Sequence, residues 1–482
     1  MNEQPFINDR LLRLAVGVGG GVLAWCLTAT LVAAEEEMPP GVAGWRVTGV
    51  GSCTAAGCHG AARLDRGVVG SEYNVWITRD PHARAYSVLF DERSQRMAEL
   101  LANLDGGQFT PAHEDPRCLA CHSMTDPPPR DPTVNVVSDG VGCESCHGPA
   151  EGWLAVHVEG KLSPGEKARL GMWDTDRLLT RTQICVRCHV GGAKERGISR
   201  DVNHDLIAAG HPRLEFEMGA YHEALPKHWD DAADRSQHGA EFDALMWALG
   251  QACTSQAAVA QLANRAERGA NWPEFSEWSC AACHHDLRDD LARQERLAAE
   301  DNLSGQRIAW DTWNHYASRR HAADVSRAFG ADADAAAGID ADLRSLDDLM
   351  RQLNPNRSQV AEQARSASQR LGRWAASLEH ARLDRRRLDW LTRAVVGGQA
   401  QMPLSDWSAA AQTYDALASL HETRLRHAAA PSDERLTRAI RRLYDELAAR
   451  QRAPRGYQFQ PQRVRAQLIE VERLLRAEGG EG

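Results

Sequence analysis

"GVGCESCHGPAEGWLAVH", residues 140–157, holds two cysteines separated by two residues, with a histidine directly behind the second. The same C-x-x-C-H spacing recurs as CLACH at 118–122, CVRCH at 185–189 and CAACH at 280–284. Such a run is the signature of c-type haem attachment. Two thiols add to the two vinyl groups on one edge of the porphyrin, and the imidazole of the next residue then reaches the iron. Zinc ribbons also use C-x-x-C, but they pair two knuckles to collect four ligands, and nothing in that design needs His after each second Cys.

A fifth stretch, "CTAAGCHGA" at 53–61, has four residues between Cys53 and Cys58. His59 keeps the iron-reaching half of the site, and a longer loop can bulge outward and still place both sulfurs. Haem is the favoured reading, with a Cys53–Cys58 disulfide as the alternative. The chain is therefore expected to bind five covalently attached haem c groups. Attachment would be through Cys53 and Cys58, Cys118 and Cys121, Cys143 and Cys146, Cys185 and Cys188, and Cys280 and Cys283. The proximal iron ligands would be His59, His122, His147, His189 and His284.

The cysteine count agrees: ten of the 12 belong to these motifs. Cys26 lies in an N-terminal apolar run, and Cys253, in "WALGQACTSQAAVAQLA", reads as a buried, inert thiol on a helix. Arg10 and Arg13 precede the apolar run Leu14 to Ala34, and Val32-Ala33-Ala34 has the small residues that a signal peptidase needs. Residues 1–34 are thus read as a signal peptide, or as an uncleaved N-terminal anchor, since the run is about long enough to span a bilayer. Export to the periplasm is expected either way, possible attachment to the inner membrane resting on that anchor alone. An oxidising compartment also suits haem attachment.

Residues 35–325 hold every motif among many Gly, Pro and Asp turns. Five haems in a segment of this size leave no room for a private domain each, so the haems themselves would form much of the core. Beyond residue 325 no Cys occurs, and amphipathic patterns cover roughly 356–379, 382–396, 404–421, 432–450 and 460–477. Ser405 and Ser432 read as N-caps and "VVGGQ" at 395–399 as a helix stop. A helical bundle over 326–482 is the economical reading. This segment carries 25 Arg against 21 Asp and Glu, so the net charge of −10 is concentrated in the haem half. An acidic face of that kind steers a cationic redox partner, or is simply a soluble surface. No basic patch interleaved with aromatics points to nucleic acid.

Whether each iron has a second protein ligand decides between electron transfer and an open, substrate-binding haem. Beyond the five motif histidines, the haem half holds His82, His113, His157, His204, His211, His222, His228, His238, His285, His315 and His321. In "NHDLIAAGHPRLEFEMGAYHEALPKHW", 203–229, His204 and His211 are seven apart and share a face if that segment is helical. His204, His211 and His222 are expected to be distal ligands, His228 and His238 surface residues. His285 follows His284 and must point away from the same iron. His113 is a further candidate, and it lies with Glu114 and Asp115 where acid–base groups would serve an open iron.

The 140–157 block, together with "WITRDPHARAYSVL" at 76–89, resembles the tetrahaem cytochrome c-554 family of nitrifying bacteria. In that family the His of an "HA-x-A" segment and a His ten residues beyond the GVGCESCH histidine are distal ligands. The resemblance implies these roles for His82 and His157, with His82 paired to the His147 haem and His157 serving a neighbour. CLACH and CVRCH match the family's second and fourth motifs. The family keeps the haem of the second motif five-coordinate, which implies an open face opposite His122. The resemblance covers about residues 50–190, and the longer first motif, the fifth motif and the C-terminal helices depart from it.

The expectation is a mainly α protein with much irregular structure, a multihaem cytochrome c domain followed by an α-helical bundle. Its function would be to pass electrons between periplasmic or membrane-bound redox proteins through closely packed, mostly bis-His haems, as a carrier more than a catalyst. The alternative is a multihaem oxidoreductase acting on a small nitrogen or oxygen species at one five-coordinate haem.

Overall fold

The computed structural model describes residues 44–61, 69–124, 129–192, 199–268, 271–278, 310, 313–400, 407–427, 434–452 and 460–478. The N-terminal segment, the fifth motif with Cys280, Cys283, His284 and His285, and the two serines Ser405 and Ser432 lie outside these residues.

The described chain is helical, with only isolated β-bridges. Short helices and turns carry the haem half. They are α1 (Glu72–Arg79), α2 (Glu92–Asp105), α3 (Pro116–His122), α4 (Glu144–His147), α5 (Pro164–Leu170), α6 (Leu178–His189), α7 (His204–Ala209), α8 (Met218–Ala224) and α9 (Asp231–His238). Long helices carry the rest: α10 (Phe242–Arg268), α11 (Tyr316–Phe329), α12 (Ala333–Met350), α13 (Arg357–Leu378), α14 (Arg385–Ala400), α15 (Trp407–His427), α16 (Glu434–Arg452) and α17 (Pro461–Glu478).

The two halves have different cores. In the long helices one continuous apolar cluster runs from Leu178 to Leu475 and includes the fully enclosed Trp247, Trp310 and Trp374. The described side chains of the haem half that lie outside that cluster form small separate ones, such as Val47 with Met124 and Val136, or Leu89 with Ala98 and Ala112. Apolar burial drives folding in the first case; in the second, too little side-chain surface is gathered to do the same.

Two boundaries differ from the sequence reading. The bundle does not begin at 326: α11 crosses that position, and α10 packs along α13 and against α15. Most of α10 is buried, Cys253 included, because apolar and small residues occupy all its faces. The expected stop at 395–399 is also absent, since α14 continues through both glycines to Ala400. Glycine lowers helix propensity by only about 1 kcal/mol, and the buried Leu388, Leu391, Val395 and Val396 on one face outweigh that.

Candidate haem-binding site

The GVGCESCHG block is built for close approach. Gly140 has φ +66°, and a Cβ there would lie 3.0 Å from the His82 carbonyl oxygen. Gly148 has φ +81°, and its Cβ would meet the Gly171 carbonyl oxygen at 2.4 Å. Only glycine fits such left-handed, crowded positions. Between them, the buried Glu144 accepts hydrogen bonds from the backbone N–H groups of Thr48, Gly49 and Ala150. That carboxylate ties the chain entering the first motif to the third.

Thiols of different motifs meet. Cys53 hydrogen-bonds to Cys143, and Cys121 to Cys188, while Cys146 lies within electrostatic reach of Cys185 and Cys188. The described cysteines, Cys53 and Cys58 included, are free thiols in this structure. Burial pushes the thiols of Cys146 and Cys185 up to about 12.

Among the described residues, every motif histidine except His122 faces a second imidazole at closely similar range. Ring centroids are 6.2 Å apart for His59 and His157, 6.0 Å for His82 and His189, and 6.2 Å for His147 and His228. Two imidazoles bound on opposite sides of one metal ion have this spacing: a metal–nitrogen bond of about 2.0 Å plus roughly 1.1 Å to the ring centre, counted twice. The ring planes are nearly parallel in the first pair, at 9°, and nearly perpendicular in the others, at 78° and 79°.

The nitrogen atoms are arranged to match. Nδ1–H donates to Glu72 in His59, to Asp80 in His82, to the Ala85 carbonyl in His122 and to the Leu154 carbonyl in His157, all at 2.8–2.9 Å. A neutral ring that donates from Nδ1 keeps its lone pair on Nε2. Such outer partners fix the tautomer and orientation of metal-binding histidines. Burial, with His228 next in effect, lowers His147 to about 4, so it too is a neutral donor at pH 7.

Beside His82, His122, His189 and His228 lies a cavity of about 780 Å³, lined also by Cys118, Cys121, Cys146, Cys185 and Cys188. A close-packed interior leaves only water-sized voids, whereas volumes of this order belong to ligand sites. Ser145 Oγ and Trp173 Nε1 are buried on its lining with no protein hydrogen-bond partner. Thiols, imidazoles and unpartnered polar atoms around one large cavity fit haem c.

Several histidines stand elsewhere than the sequence suggested. His82 faces His189 and not His147, because the turn at Pro81–Arg84 packs beside α6. His228, expected at the surface, is the one that reaches His147. It follows a proline in the loop between α8 and α9, with a side-chain hydrogen bond to the Pro226 backbone, and no periodic pattern marks such a loop position. His222 is buried, but Arg181, paired with Asp234, donates to its Nε2 at 3.1 Å, which occupies the lone pair a metal would need. His204 opens α7 and packs on Phe275. His204 and His211 share no helix face, since α7 ends at Gly210, φ +118°. His113 stacks on Phe90 at 4.2 Å and does not line the cavity. Its neighbour Asp115 caps α3 by accepting from the Arg117 backbone N–H, so "HEDP" is the turn that starts the helix carrying CLACH.

No curated protein and no solved structure matches the chain. Residues 53–148, from the first thiol of the first motif to the glycine after His147, match the family model described as cytochrome c554 and c-prime. Over that segment the chain is similar to the cytochrome c554 family, and this likeness supports a c-type cytochrome with covalently bound haem c in electron transfer.

Proposed function

We propose that the protein is an exported pentahaem electron carrier whose haems are mostly bis-His. The observation that carries this reading is the set of three imidazole pairs at 6.0–6.2 Å, each joining a motif histidine to a second histidine. His59 with His157, His189 with His82, and His147 with His228 would hold three haems, with Cys53 and Cys58, Cys185 and Cys188, and Cys143 and Cys146 as their covalent anchors. His122 with Cys118 and Cys121 would hold a fourth, and the 280–284 motif a fifth. Haem supplies one-electron chemistry; the chain sets its ligands, its burial and its distance from neighbours. Cys53 lies beside Cys143, Cys121 beside Cys188, and Cys146 near Cys185 and Cys188, which supports an order of sites first, third, fourth, second. That order supports transfer along a row of sites.

The row has one more open end. The His59 ring is 41% exposed and Cys58 is exposed, whereas the cysteines of the other described motifs are only partly exposed. A periplasmic or membrane-bound redox protein would meet the first site there. Among the described residues no helix is long and apolar enough to cross a membrane.

The test is a haem count with peptide assignment. Intact mass of the exported protein is expected to exceed that of the polypeptide by five haems, with haem on the peptides bearing Cys53 and Cys58 and all four regular motifs. Electron paramagnetic resonance is expected to give one rhombic low-spin signal, from the parallel pair, and large-gmax signals from the perpendicular pairs. Four haems with a 53–58 disulfide overturns the first site; high-spin iron throughout overturns bis-His ligation.

A further inference from the structure

One imidazole on the cavity wall lies outside the three pairs. His211 follows α7, where Gly210 turns the chain at φ +118° and Arg93 Nη2, on α2, holds the Gly210 carbonyl at 2.6 Å. His211 Nδ1–H donates to the Pro212 carbonyl at 2.8 Å, the same engagement seen in His59, His82, His122 and His157, and it leaves the Nε2 lone pair available. His122 donates from Nδ1 to the Ala85 carbonyl, so its own Nε2 is equally available. Both rings line the cavity together with Cys118 and Cys121.

The other histidines are engaged elsewhere. Of the described histidines lining the cavity, His82, His189 and His228 belong to pairs already described, which leaves His122 and His211. His113, His204 and His222 are held by Phe90, Phe275 and Arg181.

We propose that His211 is the sixth ligand of the haem attached at Cys118 and Cys121, opposite His122, closing a site that the family resemblance leaves open. The inference rests on haem c being bound at that motif. Its consequence is that a small ligand is excluded by the chain's own histidine, so this site serves electron transfer and not reduction of a bound nitrogen or oxygen species. The turn at Gly210 and the proline behind His211 hold the ring against the cavity without any helix to carry it.

The experiment uses the full-length, haem-loaded protein, reduced with dithionite and titrated with carbon monoxide in the Soret band. His211→Gly is expected to bind one equivalent more than wild type, to show new high-spin ferric iron, and to return to low spin when imidazole is added. His211→Met is expected to stay low-spin with one potential raised, as His/Met ligation does, which keeps a readout if the glycine variant loads haem poorly. An unchanged carbon monoxide stoichiometry and unchanged spin state in both variants overturns the proposal. Peptide mass separates this from failure of the underlying reading: if the 118–122 peptide carries no haem, the site itself is absent and the inference falls with it.

Discussion

Replacing Asp80 with Asn tests how the chain sets a potential. Asp80 is 5% exposed, and its Oδ1 accepts both the His82 backbone N–H at 3.0 Å and the ring Nδ1–H at 2.9 Å. Burial alone lowers the proton affinity of His82, yet the hydrogen bond to Asp80 and its charge leave it raised, so the carboxylate makes this imidazole the more basic donor. A more basic ligand favours ferric over ferrous iron. Outer partners of metal-binding histidines change affinity by roughly 10–100-fold, and each tenfold is about 59 mV for a one-electron couple. If that preference falls on the ferric state, Asp80→Asn raises one haem potential by roughly 60–120 mV. Asn retains the acceptor that caps the Pro81–Arg84 turn, so the fold is preserved. Glu72→Gln, behind the 41% exposed His59 ring, is expected to move its haem less, since solvent screens the charge. Spectroelectrochemical titration of both variants reads this directly. An unaltered set of potentials in Asp80→Asn, with low-spin iron retained, refutes the reasoning.

Three further outcomes are expected. His228→Ala should open the haem on His147, adding about one carbon monoxide equivalent and removing one large-gmax signal, while His238→Ala, paired with Asp234 on α9, leaves both unchanged. Glu144→Ala strands three backbone N–H groups at about 1–3 kcal/mol each, so thermal unfolding of the haem half should fall by at least ~3 kcal/mol at equal haem content. Trp374→Ala removes a 1% exposed side chain that packs in the bundle and donates to Ser326 Oγ at 2.7 Å. It should cost about 3–5 kcal/mol in denaturant melts without altering the spin state of any haem.

What the sequence made legible was local. The C-x-x-C-H spacing identifies proximal sites without any tertiary knowledge, and helical periodicity placed α13, α14, α15, α16 and α17 to within a few residues of their starts. Pairing across the cavity was not legible, because it depends on how loops cross. His82 and His228 both lie just beyond a proline or in the residues flanking one, in turns without periodicity, and only their packing decides which motif histidine each meets. His222 shows the converse: a histidine in the right region, buried as a ligand would be, but held by the Arg181–Asp234 ion pair. One signal was available in retrospect. Prolines at 81, 212 and 226 stand next to or near His82, His211 and His228, and each fixes a short non-helical stretch that presents a ring.

The division at residue 325 failed for a reason that bears on function. Helix α6 has Leu178, Leu179, Thr182 and Val186 buried, and the three apolar ones belong to the bundle's cluster, while Cys185, Cys188 and His189 line the haem cavity. Its packing partner α10 lies in turn along α13. The CVRCH motif is therefore carried by a helix packed on the bundle and not beside it. Deleting residues 326–482 would strip α12 to α17 from α10 and expose its buried length, so the haem spectra would change along with any loss of partner binding. Among the described residues, those outside the bundle's cluster gather only small apolar clusters, whereas the bundle has a continuous core. The bundle is then the wall on which α6 sets its cavity-lining residues. Through that packing it holds α6, and with it His189, in register with His82.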